Sequence, residues 1–333
     1  MPAQLFVLFA ILFAVMLLCI CVGSVFVDIS DVIKSICNAL KGISSGTAYS
    51  IIIKVRIPRV ICVALVGASL ALCGASMQGL LRNPLADGST LGVSSGASLG
   101  AVIAIALDIK IPSVPLAATM VMAVIFAFLS LAIILSLAYR MDKTLSTDSI
   151  VLIGVVFSMF ATSIISLITA FAGSKVKTIT FWTMGSLSGS GYSTALVLAV
   201  GLVLTAPWLL SSARELNAFA IGEENARTIG VDIKSIKLRV LICVSILIGI
   251  CVSAGGSIGF VGLIVPHAVR MIFGANHRKL LCGSMLVGAS FLMLADLISR
   301  TLLAPVELPV GVVTSIIGAV TFIGIMFSSR SRQ

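Results

Sequence analysis

The chain of 333 residues is 59% hydrophobic and only 10% charged, with a mean hydropathy of +1.22. Soluble domains carry about 25% charged residues, so this composition excludes an ordinary globular enzyme and points to a polytopic membrane protein. The net charge of +10 would suggest nucleic acid in a soluble protein; here it reads as loops facing anionic lipid, with no nucleic-acid partner.

Leu5–Val27 is a charge-free run of 23 residues, longer than the roughly 7–15 of a signal peptide and with no basic residue before it, so it reads as a retained span. Asp28 to Lys54 is polar enough to leave the membrane, with Ile29, Val32, Ile33 and Ile36 spaced like an amphipathic helix on its surface. Arg56 and Arg59 then open the second span, Val60–Leu81, which has the length of one bilayer core, about 30 Å. Its Gly67, Ala68, Ser69, Ala71, Gly74, Ala75, Ser76 and Gly79 would let other helices approach closely. A hinge follows at Arg82-Asn83-Pro84-Leu85-Ala86-Asp87-Gly88, where proline and glycine end the helix.

Further spans are expected at Leu91–Leu107, Pro115–Tyr139, Ile150–Gly173 and Thr194–Leu210, with a polar re-entry segment at Ser174–Gly191. The charged loop Ser211–Arg239 fits two short helices, with Asn217 as a cap and Gly230 as a stop. Val240–Val269 has no charge and could be one long helix or two that turn at Ala254–Gly259. With two, 13 of the 22 Lys and Arg share the side of the 211–239 loop; with one, only nine do. The positive-inside bias therefore favours ten spans with that loop in the cytoplasm, the last two being Leu280–Leu297 and Pro309–Phe327.

The motifs R-I-P-R, G-A-S-M-Q-G-L-L-R-N-P-L-A and L-G-V-S-S-G-A-S-L-G, between Arg56 and Gly100, resemble the permease subunits of ABC importers for iron chelates, haem and vitamin B12, the type II importers. G-E-E-N-A-R-T-I-G-V from Gly222, G-F-V-G-L-I-V-P-H-A-V-R from Gly259 and E-L-P-V-G-V-V-T-S-I-I-G from Glu307 match the same family, so the likeness covers nearly the whole chain. It implies a single all-α permease domain over residues 1–333 with about ten transmembrane helices, multi-pass in the plasma membrane of a prokaryote. Implied partners are a second permease copy or paralogue, two ATP-binding subunits that carry ATP and Mg, and an extracytoplasmic substrate-binding protein. No cofactor or metal is expected on this chain. Ferric siderophore is the first expectation for cargo, with haem and cobalamin as alternatives.

Arg56, Arg59 and Arg300 fall on the outer side against the positive-inside trend. They read either as headgroup-snorkelling side chains or as a basic rim for carboxylates, which the planar guanidinium pairs in bidentate fashion. The resemblance implies docking of the binding protein at these three positions. It also implies an inner gate at Asn83, Leu85, Ser146 and Thr147, whose plainer reading is turn chemistry. A coupling helix for the ATPase is implied at Gly222, Glu223, Glu224, Ala226 and Arg227; Asn225 stands where the family usually has alanine.

No G-x-x-x-x-G-K-[ST] motif is present, so the chain does not itself cradle ATP. His267 lacks an oriented partner for metal ligation, His277 beside Arg278 and Lys279 reads as solvated, and the eight cysteines contain no C-x-x-C pair. An ion-coupled secondary transporter would need an intramembrane acid, and Asp296, the one such acid, has Arg300 at i,i+4 to neutralise it.

Overall fold

The computed structural model describes residues 2–23, 27–43, 46–88, 91–109, 117–143 and 145–330. Pro115, the expected start of the fourth span, and residues 24–26 of the first apolar run lie outside the described residues. The helices are α1 (Pro2–Cys21), α2 (Ile29–Leu40), α3 (Thr47–Leu81), α4 (Val93–Ala106), α5 (Ala117–Met141), α6 (Thr147–Phe171) and α7 (Val176–Thr183). They continue with α8 (Tyr192–Ser211), α9 (Ala213–Phe219), α10 (Glu223–Thr228), α11 (Ile233–Gly255), α12 (Val261–Phe273), α13 (His277–Thr301) and α14 (Val310–Arg330). Among the described residues seven are long and apolar enough to cross a membrane, and the shorter apolar stretches Val93–Ala106, Val261–Phe273 and Val310–Gly324, in α4, α12 and α14, complete the ten expected.

The surface helix α2 forms as its apolar spacing predicts: Asp28 caps it by accepting from Ser30 N–H, Val32 turns inward, and Ile29, Ile33 and Ile36 remain exposed. The segment after it departs from expectation. Residues 47–56 do not stay outside the bundle but run straight into the second span, with a π-helical turn over Ser50–Arg56. Pro58 explains the wide turn, because a proline ring clashes with the carbonyl four residues back. Ile57 N–H accordingly reaches Ile52, and the Tyr192 hydroxyl donates to the Ile53 carbonyl at 2.6 Å.

Helix α3 is the axis of the molecule. It is mostly buried and packs against α13, α12, α11 and α8, while α4 packs against α5 and α6 as a second layer joined to α11. A Cβ on Gly67 would collide with the Gly288 carbonyl of α13, and one on Gly74 with the Gly262 carbonyl of α12. The small residues of the second span thus do what lipid-embedded packing requires, bringing backbones together where no hydrophobic force drives helices to associate.

The long uncharged stretch forms two helices, α11 and α12, broken at residues 256–260. Gly256 (φ +70°) and Phe260 (φ +68°) turn the chain in the left-handed half of conformational space. Irregular backbone at membrane depth must be covered by protein. The loop after α7 supplies the cover: Ser186 N–H donates to the Gly255 carbonyl at 2.8 Å, and Gly311 N–H to the Gly185 carbonyl at 3.3 Å. This is the re-entry segment read from the sequence.

Two expectations in the charged loop resolve differently. Gly230 (φ +88°) does stop α10, with Val231 N–H on the Ala226 carbonyl and Gly230 N–H on that of Arg227, a Schellman ending. Asn217 lies inside α9 instead of capping it; its Oδ1 accepts at 2.9 Å from the N–H of His277, the first residue of α13, whose own N-cap is Asn276. His277 is buried against Gly79, not solvated.

Replacing Gly67 or Gly74 by valine forces backbone apart and should destabilise the bundle by more than the ~1–3 kcal/mol of ordinary overpacking. Gly191→Ala, which meets no atom within 4 Å, should be neutral. Thermal midpoints of the three variants in lipid nanodiscs test this; a Gly74→Val protein as stable as the parent would refute the packing.

Candidate functional site

At the end of the bundle carrying the basic loop, three separate segments meet. Arg82 (φ +48°) ends α3 in a left-handed cap. Asn83 then accepts from Leu85 N–H at 2.9 Å, and its carbonyl takes Ala86 N–H at 3.1 Å, a tight Asx turn. Ser146 caps α6 by accepting from Ser149 N–H, and Asp142 holds Ser146 N–H at 3.2 Å. Gly222 (φ +112°) lets the chain turn into α10, whose Ala226 is buried while Glu224 and Arg227 face outward. Together Asn83, Ser146, Thr147, Gly222, Glu223 and Glu224 line one open recess of about 1160 Å³. Leu85 is exposed beside it and does not line it.

The expected gate and coupling segments are directly bonded. Thr147 Oγ1 donates to Glu223 Oε1 at 3.2 Å, and Lys237 Nζ donates to Glu223 Oε2 at 2.8 Å. Lys237 also donates to the Leu145 carbonyl at 2.9 Å and is only 1% exposed. Sequence reasoning passed over Lys237 as one basic residue among several in a solvated loop. Its signal was positional: with Ile233, Ile236, Val240 and Leu241 it occupies the buried stripe of α11 at helical spacing.

The three outer arginines also come together, but beneath the surface. Arg59 donates to Asp296 at 2.9 Å and to both oxygens of Glu307 at 2.9 and 3.0 Å. Arg300 lies 3.5 Å from the second Asp296 oxygen and donates to the Cys19 carbonyl. Arg56 donates to the carbonyls of Ile20 and Cys21, both at 2.8 Å. The expected open rim is corrected here, since all three side chains are buried and tie the end of α1 to α3 and α13. Guanidinium groups suit the place, because the last carbonyls of a helix lack internal partners and carry partial negative charge.

Glu307, in the loop after α13, is partly exposed. Burial raises its pKa, but the hydrogen bond and charge of Arg59 outweigh that and hold its carboxyl below the usual range. Among the described residues no three His, Cys, Asp or Glu side chains gather in a metal-holding group.

The FecCD transport family matches residues 11–328. The chain is 38% identical over 292 residues to the hemin transport system permease protein HmuU of Yersinia pestis, covering 87% of each. It is 40% identical over 277 residues to the cobalamin import system permease protein BtuC of Halobacterium salinarum, covering 83% of this chain and 73% of that one. Its fold is similar to a metal-chelate type ABC transporter solved in an inward-facing conformation, with a TM-score of 0.86, 30% identity, and coverage of 98% of this chain and 100% of that one.

Removing one member of a buried ion pair costs about 3–5 kcal/mol, so Asp296→Asn should lower the thermal midpoint sharply. Glu307 gives a pH dependence. Because its folded pKa is lowered, its contribution is present above the unfolded value of 4.5 and is lost as pH falls through the folded one. Glu307→Gln should therefore lose part of the parent's acid destabilisation, and thermal melts on either side of that window check it; equal acid sensitivity in both proteins would refute the pairing.

Proposed function

We infer the function from one premise: this chain belongs to the FecCD transport family. It is the membrane-spanning permease subunit of an ATP-driven type II importer that brings an iron chelate, haem or cobalamin across the plasma membrane of a prokaryote. The supporting observation is the inner recess, where the Glu223-bearing helix α10 is bonded to the start of α6. A protruding short helix fixed to a membrane helix can receive movement from a soluble partner and pass it to the path. That partner is an ATPase of two ATP-binding subunits, which bind ATP and Mg. Glu224 and Arg227 are exposed on α10 to meet it.

A second copy or close paralogue completes the path, which opens alternately to either side. Asn83, Leu85, Ser146 and Thr147 form its inner gate. The binding protein docks on the outer face above Glu307 and α2; Arg56, Arg59 and Arg300 support that surface from below. Ferric siderophore is the proposed cargo among the three. An ion-coupled carrier is disfavoured, because Asp296 is held between Arg59 and Arg300.

The test is co-purification with a Walker-motif ATPase and its binding protein, with ATP hydrolysis and uptake measured in proteoliposomes for ferric siderophore, haem and cobalamin. Uptake of ferric siderophore alone supports the full reading, and uptake of another cargo moves the assignment within the class. ATP-independent uptake driven by an ion gradient would overturn it. In the assembled transporter, Glu224→Lys with Arg227→Glu should weaken ATPase binding about tenfold, as expected for reversed charges at an interface, without changing the chain's melting. Unchanged binding would remove α10 from the contact.

A further inference from the structure

We propose that Lys237 is the positioning residue that makes the coupling helix and the start of α6 move as one body. The inference rests on the functional reading above and adds a specific transmission element to it. Lys237 stands in the first turns of α11, within an otherwise apolar buried stripe. Its ammonium contacts two groups from different segments, the Glu223 carboxylate of α10 and the Leu145 carbonyl. Leu145 is itself buried, has φ +53°, and immediately precedes the Ser146 cap of α6. Thr147, the first residue of α6, closes the ring by donating to the other Glu223 oxygen.

The arrangement is a clasp of one cation, one carboxylate, one carbonyl and one hydroxyl. Burying an ammonium ion is costly unless its partners stay in place. Displacing α10 alone would separate Glu223 from Lys237 and Thr147 and leave charge uncompensated in a buried site. The less costly response to a push on α10 is for residues 145–147 to follow. In this way a local displacement at α10 becomes a displacement of a membrane helix. A methionine at 237 would fill the space but hold neither Glu223 nor the Leu145 carbonyl.

The test uses the full transporter and the chain alone. In proteoliposomes, Lys237→Met should hydrolyse ATP near the parent rate yet move at least about fivefold less cargo per ATP, the lower end of ordinary coupling strengths. A merely structural role would instead lower transport and hydrolysis together by reducing assembled complex. In the chain alone in nanodiscs, amide hydrogen exchange should quicken in residues 145–150 and 223–228 together. Thr147→Val, a gentler change, should show the same signs at smaller size and serves if Lys237→Met does not fold. Lys237→Met/Glu223→Gln should couple no worse than Lys237→Met. Unchanged cargo per ATP in Lys237→Met and Thr147→Val, or no joint acceleration of exchange, overturns the proposal. If the parent itself needs no ATP, the importer reading fails, and the exchange measurement still decides whether the clasp exists.

Discussion

The structure depends on the antiparallel register of α3 against α13. At the outer end Arg59 pairs with Asp296; eight residues further along α3, Gly67 meets Gly288, eight residues back along α13. Near the inner end Gly79 receives His277. These are three different interactions: an ion pair, a backbone-to-backbone contact and a ring packed on a glycine. Each allows one alignment. In a bilayer, where lipid tails are as apolar as leucine, such contacts decide which helices associate and in which register. With α3 and α13 fixed, α12 is placed by Gly74 against Gly262, and α1 by the arginines that hold its last carbonyls.

Charge is buried at both ends of this spine, and the two ends are balanced differently. Outside, three arginines face two carboxylates, Asp296 and Glu307. The excess positive charge is met by the carbonyls of Cys19, Ile20 and Cys21, where a helix C-terminus carries about half a negative charge. The outer cluster thus joins α1, α3, α13 and the Glu307 loop into a rigid cap. Inside, one lysine faces one glutamate and one carbonyl. It has fewer partners, and they come from two segments far apart in the chain. The first arrangement ties four segments at several points, and the second is the proposed link between α10 and the start of α6.

Much of this was legible in the sequence. Ten apolar segments, the break in the 240–269 stretch and the small-residue face of α3 follow from composition, charge bias and spacing. The recess was legible only as two separate expectations, a gate at 83–85 and 146–147 and a coupling helix at 222–227; that they touch is a tertiary fact. The outer arginines were misjudged because a guanidinium at a span mouth looks the same in sequence whether it faces water or another helix's carbonyls. Asn217 is a similar case: its oxygen goes to the first N–H of α13, sixty residues later, and not to its own loop. Lys237 alone left a usable trace, a cation in phase with an apolar stripe.

The distribution of burial along the helices places the inner clasp at the most enclosed end of α6. Helix α3 is largely enclosed, whereas α6 buries only Ile150, Ile153, Gly154 and Ala161. Three of those four lie in its first eight residues, next to the clasp, and Gly154 sits against Gly92 at the left-handed start of α4. Beyond Ala161, α6 presents Leu167 and Phe171 outward, and its Ile165 and Thr169 line a pocket with Val176 and Ile179 of α7. The exposed face of α6 is the surface that lipid or the proposed second copy would cover. Leu145 and Thr147, the points held by Lys237 and Glu223, lie at the enclosed end. Under the coupling proposed above, a displacement of α10 is therefore applied at the end of α6 that packs against the start of α4.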